Sequence, residues 1–350
     1  MFKIAINSVP VIMTKFFAQS DKEATLGLGA IPESTKRVVF IDTPATSHLV
    51  STIEELVSRG IEVIVRDHHD VPNPRNSREQ EIATAANRVR ELVGSNAVIS
   101  NRQANPACSG LIQVGEFNGE GTVIVADPDP DGLTAAMKAT GVYYPELDTD
   151  ADVLDGGRAG QTADKLSAHA FLFTRAMSTL PLFNAERPQI SEDAKAKLFT
   201  DFVSMINGDS EATARLQKGV ETYEAGVREA ERLSETVTDI IPSVAFVDLM
   251  TSPRFDLTTL AQKMEARPGT NVTVQKKAQG PIAAKCGGVQ YSLAVAKAHQ
   301  AEVNLQECLP SGFTSSPEAG IISNTTFLLH VSESVWNETV LPALRNRFAQ

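Results

Sequence analysis

Cysteine is scarce in this chain, and its spacing builds no site. Only three of the 350 residues are cysteines, namely Cys108, Cys286 and Cys308, and none belongs to a CxxC pair. Structural zinc sites and disulfide scaffolds both need patterned cysteines, so the sequence indicates neither. This usage fits a reducing compartment best, and we expect a cytoplasmic protein.

Long apolar runs and an excess of basic residues are also missing. No stretch approaches the roughly 18 apolar residues of a membrane helix, and Asn7, Pro10 and Lys15 interrupt the apolar N-terminus. We therefore expect no membrane association. Lysine and arginine number 32 against 43 acidic residues, which gives a formal net charge of −11. This balance argues against a protein that coats nucleic acid through a broad basic surface.

Short apolar runs alternate with helical patterns in the first half of the chain. Strands are predicted at 38–41, 61–65, 97–100 and 122–126. Helices are predicted from Ser51 to Arg59, stopped by Gly60, and from about 77 to 93. Because strands joined by helical crossovers pair in parallel, the pattern predicts an α/β fold with a parallel sheet.

The remainder of the chain divides into a helical region and a second mixed region. From Ala163 to about Thr238 the pattern is helical, and from Pro242 strands and helices alternate again. We predict three parts: a domain at 1–180 with the parallel sheet, a helical connector at 181–240, and a smaller α/β domain at 241–350.

The first chemically informative motif is Arg66-Asp67-His68-His69-Asp70, which follows the apolar run IEVIV. It lies at the carboxyl end of a predicted strand, where open α/β sheets bind their ligands. Imidazole and carboxylate together suit Mn²⁺, Fe²⁺ or Zn²⁺, and a further carboxylate can fix a histidine tautomer. The alternative is a solvated polar loop after a strand.

The second motif is Asp127-Pro128-Asp129-Pro130-Asp131-Gly132, again between a strand and a helix. Three carboxylates at alternate positions repel one another and need a cation. An EF-hand loop begins similarly, but its twelfth position should be glutamate and here is Lys138, so we reject that reading. A plain turn rich in Asp and Pro is the alternative.

Single aspartates complete the candidate set. Asp42 ends a predicted strand, and Asp164 opens a helix, where an acid also stabilises the helix dipole. Asp152 and Asp155 compete with Asp164 for the same role. Asp42, His68 and the aspartate motif all follow strands that should be neighbours, so they can converge. Two divalent ions held there would activate water and stabilise a leaving oxygen.

These residues resemble the DHH superfamily of phosphoesterases. Arg66-Asp67-His68-His69 looks like the signature of the family, and VADPDPDGLTAA is similar to the aspartate-rich motif of its RecJ-type exonucleases. VFIDTP around Asp42 and GQTAD at 160–164 resemble two further metal motifs. The resemblance implies two Mn²⁺ or Mg²⁺ ions, with Mn²⁺ preferred. Their implied ligands are Asp42, His68, Asp127, Asp129, Asp131 and Asp164.

The resemblance also implies roles for neighbouring residues. His69 would face the substrate phosphate, and Asp67 would support the histidines. The sequence departs from the family in motif order, because the aspartate-rich motif follows the DHH motif instead of preceding it. That order indicates a permutation or a transposed strand.

The C-terminal region resembles, more loosely, the substrate-binding domain associated with this family. Arg254 would supply an arginine-bearing loop, and Gly287 and Gly288 would let backbone N–H groups approach a phosphate. The family's glycine turn carries a histidine where this chain has Val289, and a simple hairpin turn is the alternative. His330, on an apolar strand pattern, is expected to be a hydrogen-bonded core residue.

The resemblance implies hydrolysis of a phosphodiester by metal-activated water. The first hypothesis is an exonuclease acting on single-stranded DNA or RNA, or on a short oligonucleotide. The second is a phosphodiesterase of small nucleotides, such as a cyclic dinucleotide or nano-RNA, which the acidic charge favours. The third is a DHH-fold scaffold without catalysis, which substituted ligand positions would reveal. Both main motifs are intact here.

Overall fold

The computed structural model describes residues 1–14, 30–74, 77–155, 165–180, 188–252, 254–310 and 315–348. Contacts divide the chain into two units, Met1–Glu221 and Thr222–Gln350. The division falls inside a long helix, and helices from the middle of the chain pack into the core of the first unit. The three-part division at 180 and 240 stays a prediction.

A six-stranded sheet forms the centre of the first unit. Its strands are β1 (Phe2–Ile6), β2 (Val9–Met13), β3 (Arg37–Ile41), β4 (Glu62–Asp67), β5 (Ala97–Ile99) and β6 (Thr122–Ala126). They lie in the order β1-β2-β6-β3-β4-β5. All neighbours from β2 to β5 pair in parallel, and β1 is antiparallel to β2. The predicted α/β fold with a parallel sheet is confirmed.

Helices follow β3, β4 and β6 in the chain and continue into the start of the second unit. They are α1 (Ser47–Ser58), α2 (Ser77–Val93), α3 (Pro130–Ala139), α4 (Leu147–Asp155), α5 (Ala168–Met177), α6 (Pro188–Ile206) and α7 (Ser210–Ser234). α1 begins a turn earlier than predicted, because Thr46 caps it by accepting a hydrogen bond from the Leu49 backbone N–H. Among the described helices, none is both long and apolar enough to span a bilayer.

The N-terminal hairpin of β1 and β2 was not predicted. Asn7 and Ser8 form its turn with φ of 47° and 65°. Two successive residues in the left-handed region match the twist of a two-residue hairpin, and asparagine tolerates that conformation well. The Asn7 side chain also donates to the Thr140 carbonyl at 2.9 Å, which ties the hairpin to the end of α3.

The sheet is buried on both faces, as the continuous apolar strands require. On one face Val38, Phe40 and Val65 pack against α1 and α2. On the other, Val39 and Ile124 belong to a larger core that takes in side chains from α3, α5, α6 and the start of α7. The central strands are thus fixed between two apolar layers, and their polar carboxyl ends lie at one edge.

The second unit is a smaller α/β structure, as predicted. It is built around another six-stranded sheet. Its strands are β7 (Thr238–Ile241), β8 (Val244–Asp248), β9 (Val272–Lys277), β10 (Gln290–Val295), β11 (Ile321–Thr325) and β12 (Leu328–Ser332). Their order is β11-β12-β10-β9-β8-β7. Only β8 and β9 pair in parallel among these strands. The helices are α8 (Leu257–Glu265), α9 (Pro281–Lys285), α10 (Glu333–Val335) and α11 (Leu341–Phe348).

We expect Phe173→Ala to destabilise the first unit by about 3–5 kcal/mol, the usual cost of emptying a buried phenyl site. Phe173 is fully buried and stacks on Phe202 with ring centroids 4.2 Å apart. Val114→Ala is the control, since Val114 is 52% exposed and should change stability by less than about 0.5 kcal/mol. Differential scanning calorimetry measures both. Equal melting temperatures for the two variants would contradict this packing.

Candidate metal centre

The carboxyl ends of three adjacent strands bring the candidate ligands together. Asp42 follows β3, His68 and His69 follow β4, and the aspartate motif follows β6. In each of three groups of residues, the candidate ligand atoms lie within 4.8 Å of one another. The groups are Asp42, His68 and His69; His68, Asp131 and Asp155; and Asp42, Asp127 and Asp129. The convergence expected from the strand order is present, although the motifs are distant in sequence.

His68 is oriented by a backbone carbonyl, and its second ring nitrogen is aimed at two carboxyl groups. Its Nδ1 lies 3.0 Å from the Asn105 carbonyl oxygen, which can only accept, so the proton is on Nδ1. Nε2 lies 3.2 Å from Asp42 Oδ1 and 3.4 Å from Asp131 Oδ2. Burial, and then the neighbouring His69, lower the pKa of His68. An unprotonated Nε2 and ionised carboxylates this close would repel one another, and a bound cation would offset that repulsion.

Asp42 is a buried carboxylate in an unusual backbone conformation. Its φ is 55°, in the left-handed region, while its backbone N–H still donates to the Arg66 carbonyl at 2.9 Å. Neither side-chain oxygen has a hydrogen-bond partner among the described residues. Burial, and then the charge of Asp131, raise the pKa of Asp42 well above its ordinary value. Strained residues of this kind concentrate at functional sites.

The aspartate motif is shaped by the start of α3. Asp129 caps the helix by accepting from the Gly132 N–H at 2.8 Å. Asp131, in the first turn, is fully buried and accepts from the Cys108 N–H at 3.1 Å through Oδ2. Burial raises the pKa of Asp131 well above its ordinary value. Its Oδ1 has no partner among the described residues.

Gly132 is required by close packing of the motif on itself. A Cβ at this position would lie 2.3 Å from the Asp127 carbonyl oxygen. The helix therefore starts directly against the backbone that carries the aspartates. This contact explains why glycine follows the third aspartate.

Of the two competing aspartates that the structure describes, Asp155 belongs to a ligand group and Asp152 does not. Asp155 is the last residue of α4, and burial raises its pKa. Asp152, on the same helix, is exposed. Asp164 lies outside the described residues, so its predicted role as a ligand stays a prediction.

α4 is held in place by a buried lysine on α3. Lys138 Nζ donates to both Asp148 side-chain oxygens at 2.7 and 2.8 Å and to the Ser109 carbonyl at 3.0 Å. Asp148 lies in the first turn of α4, and Asp155 is its last residue. Lys138 thus stands where an EF-hand would place its glutamate and instead fixes the helix that carries Asp155.

His69 is partly exposed and lies between the Asp67 carboxylate and the Arg102 guanidinium. Its Nδ1 lies 2.8 Å from Asp67 Oδ1, and its Nε2 lies 2.9 Å from Nη2 of Arg102. Because arginine can only donate, His69 accepts at Nε2 and donates to Asp67 from Nδ1. Asp67 thus orients His69, while His68 takes its orientation from Asn105.

Sequence reasoning missed the loop after β5. This loop, at 100–108, contributes the Asn105 carbonyl to His68, Arg102 to His69 and Asp155, and the Cys108 N–H to Asp131. β5 is parallel to β4, so its carboxyl end reaches the same edge of the sheet. The loop could therefore have been predicted from the sequence, because open α/β sheets bind their ligands at the carboxyl ends of strands and 97–100 was predicted as a strand.

The donor set fits divalent metal ions. Carboxylate oxygens and one or two imidazole nitrogens suit Mn²⁺, Mg²⁺ or Zn²⁺. Buried carboxylates without hydrogen-bond donors are costly, and a cation would offset that cost. The group of His68, Asp131 and Asp155 and the group of Asp42, Asp127 and Asp129 could each hold one ion.

The predicted substrate-binding residues all belong to the second unit. Arg254 is exposed between β8 and α8. Gly287 and Gly288, with φ of 94° and 83°, follow α9, and the Gly288 N–H donates to the Ala283 carbonyl at 2.8 Å. Such a bond closes a helix C-terminus, so the glycines end α9 and do not form a two-residue hairpin turn. His330 is half-buried, with Nδ1 3.0 Å from Ser292 Oγ.

Comparisons with known proteins find only loose structural likenesses. No protein-family model and no curated protein matches the chain. A pGpG-specific phosphodiesterase, PggH from Vibrio cholerae, is 11% identical with a TM-score of 0.38, covering 89% of this chain and 98% of its own. The DHH domain of a member of a family of ribosomal proteins is 12% identical with a TM-score of 0.39, covering 89% and 69%. Likenesses this loose carry no argument about function.

We expect Gly132→Ala to weaken metal binding, because a Cβ would push the start of α3 away from Asp127. The comparison variant is Gly119→Ala, where the nearest atom to a new Cβ lies 3.8 Å away. Isothermal titration of metal-stripped protein with Mn²⁺ should show an affinity loss of about tenfold or more for Gly132→Ala only. Equal affinities in the two variants would contradict the role of this close contact.

We expect the stabilisation by Mn²⁺ to increase as the pH rises. The pKa values of Asp42, Asp131 and Asp155 are raised by burial, so in the presence of EDTA they stabilise the fold below their ordinary pKa. That contribution is lost as the pH rises through the raised values. A proton on His68 also competes with metal at low pH, and the lowered pKa of His68 moves this competition to lower pH.

Thermal melts with EDTA and with Mn²⁺, from about pH 5 to about pH 8, measure this difference. Asp42→Asn should raise the melting temperature in EDTA at neutral pH, because it removes a buried charge, and should reduce the shift caused by Mn²⁺. A metal-induced shift that is independent of pH and unchanged in Asp42→Asn would contradict the account.

Proposed function

We propose that this protein is a metal-dependent phosphoesterase of the DHH superfamily that hydrolyses phosphodiester bonds. One observation carries the proposal: His68, oriented by the Asn105 carbonyl, directs Nε2 at the buried carboxyl groups of Asp42 and Asp131. These residues come from the motifs that resemble the family. Such a donor set serves metal ions, and phosphate esters are substrates on which paired ions act well.

In this proposal the ligands are Asp42, Asp127, Asp129, Asp131, His68 and Asp155. Bound divalent ions would supply a hydroxide nucleophile near neutral pH and stabilise the leaving oxygen. Asp42 belongs to groups with both His68 and Asp129, so it could help to hold either ion. Asp67 would hold the His69 ring so that His69 faces the substrate phosphate.

The chain order of the motifs is compatible with this proposal. β6, which carries the aspartate motif, comes after β3 and β4 in sequence but lies beside β3 in the sheet. Because a parallel sheet fixes where strand ends lie and not their order along the chain, one site can be built from permuted motifs. We infer that the DHH site here is assembled in this permuted order.

For the substrate, we propose a single-stranded nucleic acid or short oligonucleotide cut from one end. The second candidate is a small nucleotide, such as a cyclic dinucleotide or nano-RNA. The net charge of −11 and an aromatic content of 6% favour this second candidate. A long strand is usually bound through clustered basic residues and stacked aromatic rings, but the basic residues are scattered along this chain and aromatic residues are few.

The test is Mn²⁺-dependent hydrolysis of end-labelled single-stranded DNA, matching RNA and a dinucleotide. We expect Asp155→Asn to lose activity by about 100-fold or more, as removal of a metal ligand should. Asp152→Asn is the matched control on the same helix, and it should keep full activity because Asp152 is exposed. Asp164→Asn, made alongside, tests the aspartate of the GQTAD segment.

The substrates that are cleaved, and the activities of the variants, distinguish the candidate functions. Shortening of the long strands supports the exonuclease, and cleavage of the dinucleotide alone supports the small-nucleotide enzyme. Equal activity in Asp155→Asn and Asp152→Asn would refute Asp155 as a ligand. If wild-type protein binds Mn²⁺ but hydrolyses none of these substrates, the activity proposed here is wrong.

A further inference from the structure

Arg102 is a cation at the rim of the metal centre for which neither the motifs nor the comparisons provide a role. Its Nη2 lies 2.8 Å from Asp155 Oδ1 and 2.9 Å from His69 Nε2. The Arg102 side chain is 52% exposed, whereas that of Asp155 is 8% exposed. The guanidinium therefore extends from the buried ligands toward solvent.

Arg102 uses one of its three guanidinium nitrogens in the hydrogen bonds that the structure describes. Both of its described hydrogen bonds use Nη2, and none from Nε or Nη1 occurs among the described residues. A guanidinium has five N–H donors, and the three on Nε and Nη1 have no acceptor among the described residues. A planar array of donors matches the oxygens of a phosphate better than an ammonium does.

The loop that carries Arg102 is braced at several points. Asn101 Oδ1 accepts from the backbone N–H groups of Gln103 and Ala104 at 3.1 and 3.0 Å. Asn105 Nδ2 donates to Ser100 Oγ at 2.6 Å. Asn101 also forms an isolated β-bridge with His69. A charged side chain on a braced loop loses little additional freedom when it binds a ligand.

We propose that Arg102 binds a non-bridging oxygen of the substrate phosphate. This proposal rests on the proposed function and adds a catalytic residue to it. Arg102 would offer its Nε and Nη1 donors to the phosphate, while Asp155 and His69 Nε2 accept from Nη2 and Asp67 orients the His69 ring. The Arg102 guanidinium would then balance the negative charge of the phosphate oxygens from the solvent-exposed rim, opposite the buried metal ligands.

A purely structural role for Arg102 would be to neutralise Asp155. Such a role predicts effects on stability and on metal affinity, but none on phosphate binding by the metal-loaded protein. The two roles can therefore be separated by measuring metal and phosphate binding independently.

The experiment titrates inorganic phosphate into Mn²⁺-loaded protein by calorimetry, for wild type, Arg102→Gln, Arg102→Lys and Arg88→Gln. Arg88 is the matched control, because its side chain is 48% exposed and pairs with Glu54 away from the site. We expect Arg102→Gln to bind phosphate about tenfold or more weakly, in line with loss of hydrogen bonds to a charged group. Arg102→Lys should recover part of that loss, and Arg88→Gln should match wild type.

Mn²⁺ affinity and steady-state kinetics provide the second readout. Mn²⁺ affinity should change by less than about threefold in Arg102→Gln, while KM for the cleaved substrate rises. Unchanged phosphate affinity in Arg102→Gln, or wild-type protein that binds no phosphate, would overturn the proposal. A fall in Mn²⁺ affinity that accounts for the whole phosphate effect would also overturn it, since Arg102 would then act through Asp155.

The two proposals fail in different ways. Wild-type protein that binds phosphate through Arg102 but hydrolyses no phosphoester would contradict the proposed function alone. Wild-type protein that hydrolyses its substrate with the same KM as Arg102→Gln would contradict the role of Arg102 alone.

Discussion

The structure of the first unit depends on burying carboxylates and an imidazole lone pair at one edge of its parallel sheet. Asp42 and Asp131 each place a carboxylate oxygen within 3.4 Å of His68 Nε2, and burial raises the pKa of both carboxyl groups. Such an arrangement is unfavourable by itself, because buried charge loses hydration and like charges repel. A cation bound at this edge would turn the repulsion into coordination.

The surrounding structure serves to hold these groups in place. The sheet is packed between two apolar layers, so the carboxyl ends of β3, β4 and β6 cannot separate. Asp42 is held in the left-handed region, Asp129 caps α3, and Lys138 fixes the helix that ends at Asp155. The loop at 100–108 then binds several of the ligand residues at once. Preorganisation of this kind lowers the cost of binding charged ligands.

Much of this site was predictable from the sequence because strand ends have simple geometry. The runs before Asp42, His68 and Asp127 identified three parallel strands, and parallel pairing implied convergence. What the sequence could not provide came from tertiary contacts. The choice of Asp155 over Asp152 depends on which side of α4 faces the site, and the hairpin at Asn7 depends on a turn in apolar sequence. The roles of Asn105 and Arg102 depend on how one loop folds back on the histidines.

The most direct measurement is the number of Mn²⁺ ions that metal-stripped protein binds per chain, determined by calorimetry and by elemental analysis. The account predicts two ions for wild type and for the exposed-site variant Asp152→Asn. It predicts fewer ions, or markedly weaker binding, for Asp42→Asn, because Asp42 belongs to groups on both sides of the site. Wild-type protein that binds no Mn²⁺, or an Asp42→Asn variant that binds as wild type does, would contradict the account.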